Sequence, residues 1–201
     1  LKKKNIYVGV IIAIILAAAA FYYKPILSQK NQGASIKNEP DRIGWLVDND
    51  GYLHYPLDRG DVKFNRQDYE TGSSLSVHKI AYQSRNGNIY GLLVLPASAE
   101  ELLPGIILLP GAGVSKESEL GLAKKIAMLD AAVLVIDQRG TGETTAQAKS
   151  IEQDYLDFVD AKEPSQHLMV YDALRAYDLL HSAPFVDPGR IAIVGESLGG
   201  R

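Results

Sequence analysis

Three kinds of hydrophobic pattern follow one another along the chain. From Ile6 to Tyr23 there is no charge at all; Ile, Val, Leu and Ala dominate, and Phe21, Tyr22 and Tyr23 close the run. At about 1.5 Å of rise per residue this stretch covers about 27 Å, enough to cross a thin hydrocarbon core. The aromatic end suits an interfacial belt, and Lys2, Lys3 and Lys4 ahead of the run predict a cytoplasmic N-terminus with the remainder extracytoplasmic. Ala18, Ala19 and Ala20 also satisfy the small-residue rule of a cleaved signal peptide. A single-pass anchor is the preferred reading, and cleavage would make the protein secreted. Lys24 to Arg42 is polar and aperiodic, with Pro25, Gly33 and Pro40, and reads as a flexible tether. The predicted organisation is an anchor or signal at 1–23, a tether at 24–42 and a folded domain at 43–201.

Alternation of period two begins near Leu75. Ser76 to Gln83 alternates, Asn86-Gly87 supplies a favoured hairpin turn, and Asn88 to Leu95 continues the pattern. Gly105 to Leu109, Ala132 to Ile136 and Arg190 to Val194 are short unbroken apolar runs, as expected of strands buried on both faces of a parallel sheet. Helical spacing separates them. Lys116 to Leu129 places Leu120, Ala123, Ala127 and Met128 on one side. Gln166 to Leu180 does the same with Val170, Ala173, Leu174, Tyr177 and Leu180, with Ser165 as the expected N-cap. A hairpin followed by strand–helix–strand–helix–strand predicts an α/β domain with a mixed, mainly parallel sheet. The segment from Thr144 to Pro164 reads as a solvated connection, with a place at a pocket mouth as the competing reading.

Composition narrows the chemistry. Among 201 residues there is no Cys, which excludes a disulfide scaffold, thiolate metal sites and a cysteine nucleophile. A net charge of −3 provides no basic field for nucleic acid, so no nucleic-acid partner is expected. Asp48-Asn49-Asp50-Gly51 lacks the further ligands of a calcium loop and reads as a tight turn. No motif calls for a metal or a cofactor.

The strongest chemical motif is Gly195-Glu196-Ser197-Leu198-Gly199, a G-x-S-x-G directly after an apolar strand. A Ser at a sharp strand-to-helix turn is held with its hydroxyl above the sheet. Side chains two positions to either side would collide with backbone, and Gly195 and Gly199 remove them. The following turn aims its amides at a reacting carbonyl, and the Leu198 N–H is placed to donate to an oxyanion. Such a pattern also arises by chance as a Gly-rich turn, so its surroundings decide its weight. Leu108-Leu109-Pro110-Gly111-Ala112-Gly113 follows the first parallel strand, where a second oxyanion donor is needed, and Ala112 is the natural candidate. Asp137-Gln138-Arg139-Gly140-Thr141-Gly142 closes the second parallel strand, and Asp187-Pro188-Gly189-Arg190 leads into the third.

In order and spacing these four motifs resemble the α/β-hydrolase superfamily, and within it the branch of dienelactone hydrolases, acetyl xylan esterases and prolyl oligopeptidase catalytic domains. The resemblance covers roughly Leu75 to Arg201. It implies Ser197 as nucleophile, with the Ala112 and Leu198 amides as the oxyanion hole. Pro110 stands where a His is common before the first loop glycine.

The family's triad runs Ser, then Asp or Glu, then His. All four histidines, His54, His78, His167 and His181, precede Ser197. His78 reads as a strand residue, His167 as first-turn helix, His181 as a helix C-terminus and His54 as a neighbour of the Asp48 turn. Asp137 at its strand end is likewise out of order. The chain therefore reads as an α/β-hydrolase fold cut after the nucleophile elbow, a piece expected to be inactive by itself. The expected function is a membrane-anchored serine hydrolase acting on a small-molecule or peptide ester, thioester or amide. A non-catalytic, membrane-anchored binding domain of the same fold is the alternative.

Overall fold

The structure, a computed structural model, describes residues 44–99, 101–144 and 146–200. The apolar run Ile6–Tyr23 and the tether lie outside these residues, and among those described no helix is long and apolar enough to cross a membrane. The described residues fall into two units that divide between Tyr55 and Pro56.

In the first unit, β1 (Leu46–Val47) and β2 (Leu53–His54) pair antiparallel across the Asp48–Gly51 turn. The Asp48 carboxylate accepts from the amides of Asp50 at 3.0 Å and Tyr52 at 2.9 Å, the local hydrogen bonding that makes Asp a turn former. His54 Nε2 sits 2.7 Å from the same carboxylate, and that contact, with the Tyr52 amide, holds Asp48 below the usual carboxylate range.

The second unit is built on a six-stranded sheet with strands β3 (Phe64–Thr71), β4 (Leu75–Ser84), β5 (Gly87–Pro96), β6 (Leu103–Leu109), β7 (Ala132–Ile136) and β8 (Val186–Gly195). Their order is β3-β4-β5-β7-β6-β8. The pairings from β3 through β5 to β7 are antiparallel, and those of β7 with β6 and of β6 with β8 are parallel. This is the expected mixed α/β sheet. The β4–β5 hairpin turns through Asn86 and Gly87 at φ of 59° and 148°, backbone that Asn and Gly adopt most readily.

Between the parallel strands run α1 (Lys116–Ala127) and, after α2 (Ile151–Val159), α3 (Ser165–His181). Chain direction explains which face each covers. The crossover from β6 to β7 moves one way across the sheet, and that from β7 to β8 moves back past β6. A constant crossover hand then puts the two helices on opposite faces. Side-chain alternation follows suit. Val133 and Val135 of β7 join Val77, Leu92, Leu108, Ala123 and Ala127 on the α1 side. Leu134 and Ile136 join Ile80, Tyr82, Ile107, Leu179 and Leu180 on the α3 side. Both faces of β6 and β7 are apolar because both are covered, hence their unbroken hydrophobic runs. The run Arg190–Val194, expected to be buried on both faces, is instead mostly exposed, because β8 stands at the edge of the described sheet.

Several local expectations need correction. Met128 and Val170, placed on buried helix faces by spacing, are exposed, whereas Ala123 and Ala127, read on the same side as Met128, are buried as expected. Ser165 begins α3 rather than capping it. The carboxylate of Asp154 takes the N–H groups of Ser165 at 2.8 Å and Gln166 at 3.1 Å, so the cap comes from α2. The Thr144–Pro164 segment, expected as a connection, contains that helix.

Candidate active site

The parallel strands β6, β7 and β8 end at Leu109, Ile136 and Gly195, and their carboxyl ends lead into the three sequence motifs. In open α/β sheets this is the edge at which ligands bind.

Beyond β8 the chain turns through Glu196 into a single 3₁₀ turn, Ser197–Gly200. Ser197 has φ of 51°, a left-handed conformation that costs a non-glycine residue roughly 1–3 kcal/mol. The two elbow glycines are required by contact. A Cβ at Gly195 would stand 1.9 Å from the carbonyl oxygen of Gly199, and one at Gly199 would stand 2.1 Å from that of Leu109. Hydrogen bonds from Glu196 N to Leu109 O (3.1 Å) and from Gly199 N to Glu196 O (2.8 Å) close the turn.

The loop after β6 lies against this elbow. A Cβ at Gly111 would fall 3.6 Å from the Ser197 Cβ. The loop curls so that Val114 N donates to Gly111 O at 3.2 Å, and the Ala112 amide donates to no backbone carbonyl among the described residues.

Three consecutive residues after β7 each tie down a different segment. Asp137, fully buried, accepts at Oδ1 from the backbone N–H of Lys116 (2.8 Å), and at Oδ2 from Lys116 Nζ (2.7 Å) and the amide of Glu143 (3.0 Å). Gln138 Nε2 donates to the carbonyl of Pro110 at 2.5 Å. Arg139 forks onto Asp172 of α3 at 2.7 and 2.8 Å and reaches the carbonyl of Arg85. Gly142 is forced here as well, since a Cβ would lie 2.2 Å from Asp137 Oδ2. Burial alone would lower the Lys116 pKa, but its contacts with Asp137, Glu117 and Glu143 outweigh burial and hold the ammonium above its ordinary value. For Asp172 burial dominates and pushes the carboxyl up, against the pull of Arg139. Sequence reading missed Lys116 and Asp172. An ion-pair partner on another element leaves no trace in local spacing.

The histidines sit where spacing placed them, in β2, β4 and the first and last turns of α3. His78 is the most provocative. Its Nδ1 lies 2.9 Å from Asp68 Oδ1 and its Nε2 3.1 Å from Ser76 Oγ, the bond order of a Ser-His-Asp triad. Arg66 also donates to that Nε2, at 2.7 Å. The lone pair a general base needs is thereby occupied by a guanidinium, which donates a hydrogen bond but does not give up its proton.

A family model for acetyl xylan esterase (AXE1) matches residues 57–201, and the chain belongs to that family. Among solved structures, the acetyl xylan esterase from Paenibacillus sp. R4 is 26% identical, with a TM-score of 0.59 over 72% of this chain and 47% of its own. Acetyl xylan esterase 1 from Thermoanaerobacterium sp. JW/SL YS485 is 16% identical (TM-score 0.58), covering 70% of this chain and 46% of its own. The glucuronoyl esterase from Solibacter usitatus shares the fold at 14% identity (TM-score 0.50), over 72% of this chain and 48% of its own. The chain thus spans about half the length of the solved structures it matches. No curated protein sequence matches it.

Proposed function

We propose that the protein is a serine hydrolase of carboxylic esters, with Ser197 as nucleophile and the amides of Ala112 and Leu198 as oxyanion donors. The observation that carries this reading is the left-handed Ser197 at φ of 51°, wedged between two glycines that have no room for a Cβ and abutted by the Gly111 loop. Strain of this kind persists where it presents a group for chemistry.

In the reaction Ser197 Oγ attacks the ester carbonyl while its proton passes to a general base. Without such a base the alcohol is a poor nucleophile at neutral pH. The family order places that base, a histidine, after the nucleophile, so none of the four histidines ahead of Ser197 has the role. The carbonyl oxygen becomes an oxyanion held by the two amides. Collapse of the tetrahedral intermediate breaks the C–O bond, and the alcohol leaves with the proton. Water then cleaves the acyl-enzyme, releasing the acid and restoring the hydroxyl. Acetyl xylan esterases give their name to family and neighbours, so an acetylated sugar is the substrate class to try first. The run Ile6–Tyr23 is proposed to hold the domain outside a membrane on its tether.

The test is hydrolysis of p-nitrophenyl acetate by the full-length protein, with the histidine that the family order places after Ser197. Turnover that vanishes in Ser197→Ala supports the hydrolase. A full-length protein that is well folded yet shows no Ser197-dependent turnover would instead be the non-catalytic binding domain.

A further inference from the structure

The loop that bears Ala112 is gripped at both ends by neighbouring side chains of one other loop. At its start, Gln138 Nε2 donates to the Pro110 carbonyl at 2.5 Å. At its far end, Asp137 takes the backbone N–H and the ammonium of Lys116, the first residue of α1. Nothing in regular secondary structure fixes the stretch between. The backbone hydrogen bond inside it is Val114 N to Gly111 O. Gly113 at φ of 73° adds backbone freedom.

The two grips differ in kind. The Asp137–Lys116 contact joins a strand end to a helix start, and its loss would be felt by the fold as a whole. The Gln138 contact lands on the peptide group two residues ahead of Ala112. That carbonyl lies where β6 has ended, beside the Leu109 carbonyl that receives the Glu196 N–H at the base of the elbow. Rotation of the Pro110–Gly111 peptide would swing the following amides relative to Ser197. A buried amide side chain that holds this peptide therefore fixes the angle between nucleophile and donor.

We infer that Gln138 is a positioning residue for the reaction at Ser197: its side-chain amide orients the Pro110–Gly113 turn so that the Ala112 N–H faces the developing oxyanion. The inference rests on the serine-hydrolase reading above. Gln138 touches neither substrate nor nucleophile and acts through the loop. The residue type follows from the task. A neutral amide donates to a carbonyl without placing a charge beside the oxyanion, whereas an ionised carboxylate has no proton to donate and would repel both.

The experiment is labelling of Ser197 by a fluorophosphonate, whose tetrahedral phosphorus leans on the same donors, in the full-length protein with the histidine that the family order places after Ser197. The Ser197 Oγ–P bond forms, the P–F bond breaks, and fluoride leaves as the serine proton passes to base or solvent. Two variants are compared with the unaltered chain. Gln138→Met keeps side-chain length without a donor, and is expected to slow labelling by about tenfold or more, short of the ~10²–10³ seen on deleting an oxyanion donor outright. Gln138→Glu can donate only when protonated. Burial disfavours the ionised carboxylate, so its rate relative to the unaltered chain is expected to be highest at the acid end of the range and to collapse by about pH 8, as its carboxyl ionises. A merely structural role would lower the melting temperature of both variants without moving that ratio. Labelling of Gln138→Met within twofold of the unaltered chain, or a pH-independent ratio for Gln138→Glu, overturns the inference while leaving Ser197 as nucleophile. If the unaltered chain shows no labelling that Ser197→Ala removes, the hydrolase reading fails and the inference falls with it.

Discussion

Lys116 Nζ donates to Asp137 Oδ2 at 2.7 Å, and neither side chain meets solvent. Each charge justifies the other's burial, and the pair locks the start of α1 to the end of β7. Removing one partner leaves an uncompensated buried charge, which costs about 3–5 kcal/mol. Lys116→Met is therefore expected to lower the unfolding free energy by that order in denaturant titration. Asp137→Asn keeps one acceptor oxygen but turns an NH2 towards the other of the two backbone amides and withdraws the charge from Lys116, so its cost is expected to be of the same order.

The same pair carries a pH signature. The Lys116 pKa is raised in the folded state above its ordinary 10.5. A raised cation stabilises fully below the unfolded value and loses that contribution as pH climbs towards the folded value. Stability is therefore expected to be flat in this group through neutrality and to fall as pH rises beyond about 10.5. In Lys116→Met that alkaline loss should be smaller. Melting curves at increasing alkaline pH check the difference, and identical slopes in both proteins would refute it.

Arg139 and Asp172 supply a second buried pair, and here the expectation is non-additive. Arg139→Met and Asp172→Leu each strand a buried partner, at a cost of about 3–5 kcal/mol. The double variant removes both charges and is expected to recover part of the sum, a coupling readable in a double-mutant cycle. Ser84 and Arg85, which also bond this cluster, limit the recovery, because Ser84 Oγ and the Arg85 carbonyl lose their partners as well.

How far the sequence disclosed this molecule depended on whether the signal was local. Strands β4 through β7 announced themselves because burial on one or two faces imposes a period of two or an unbroken run, and β8 shows such a run although most of it is exposed at the sheet edge. The elbow was equally plain, since steric exclusion at Gly195 and Gly199 permits no other residue. β3 was not read, because all eight residues of Phe64–Thr71 are exposed and carry no alternation; backbone pairing to β4 holds the strand. α2 was obscured by an inverted pattern. Its acidic residues Asp154 and Asp157 are buried, while Ile151, Tyr155 and Leu156 face outward. Lys116 and Asp172 were invisible for a third reason, since each finds its partner across the fold.

Asp154 turns that inverted helix into a further test. Its carboxylate takes two backbone N–H groups at the start of α3 and the hydroxyl of Ser165. Losing an N-cap of this kind costs about 0.5–2 kcal/mol. Asp154→Ala is expected at the upper end, because the buried Ser165 amide and hydroxyl proton both lose their acceptor, while the hydroxyl oxygen keeps the Lys149 N–H. Hydrogen exchange should quicken selectively in the first turn of α3, with β6 and β7 unaffected.

Ser197 offers the cleanest separation of stability from chemistry. Its φ of 51° is strained for any residue with a Cβ, and that strain remains in Ser197→Ala. Ser197→Gly relieves it, although glycine gives back roughly 0.5–1 kcal/mol through the greater freedom of the unfolded chain. Both variants lose the hydroxyl, so both are expected to lose Ser197-dependent ester hydrolysis altogether. Their stabilities should part. The glycine variant is expected to unfold at a higher denaturant concentration than the alanine variant, by about 1 kcal/mol, because only the alanine retains the elbow's backbone cost. An alanine variant as stable as the glycine variant would mean that the elbow stores no strain, and the conformation that carries the functional reading would then need another cause.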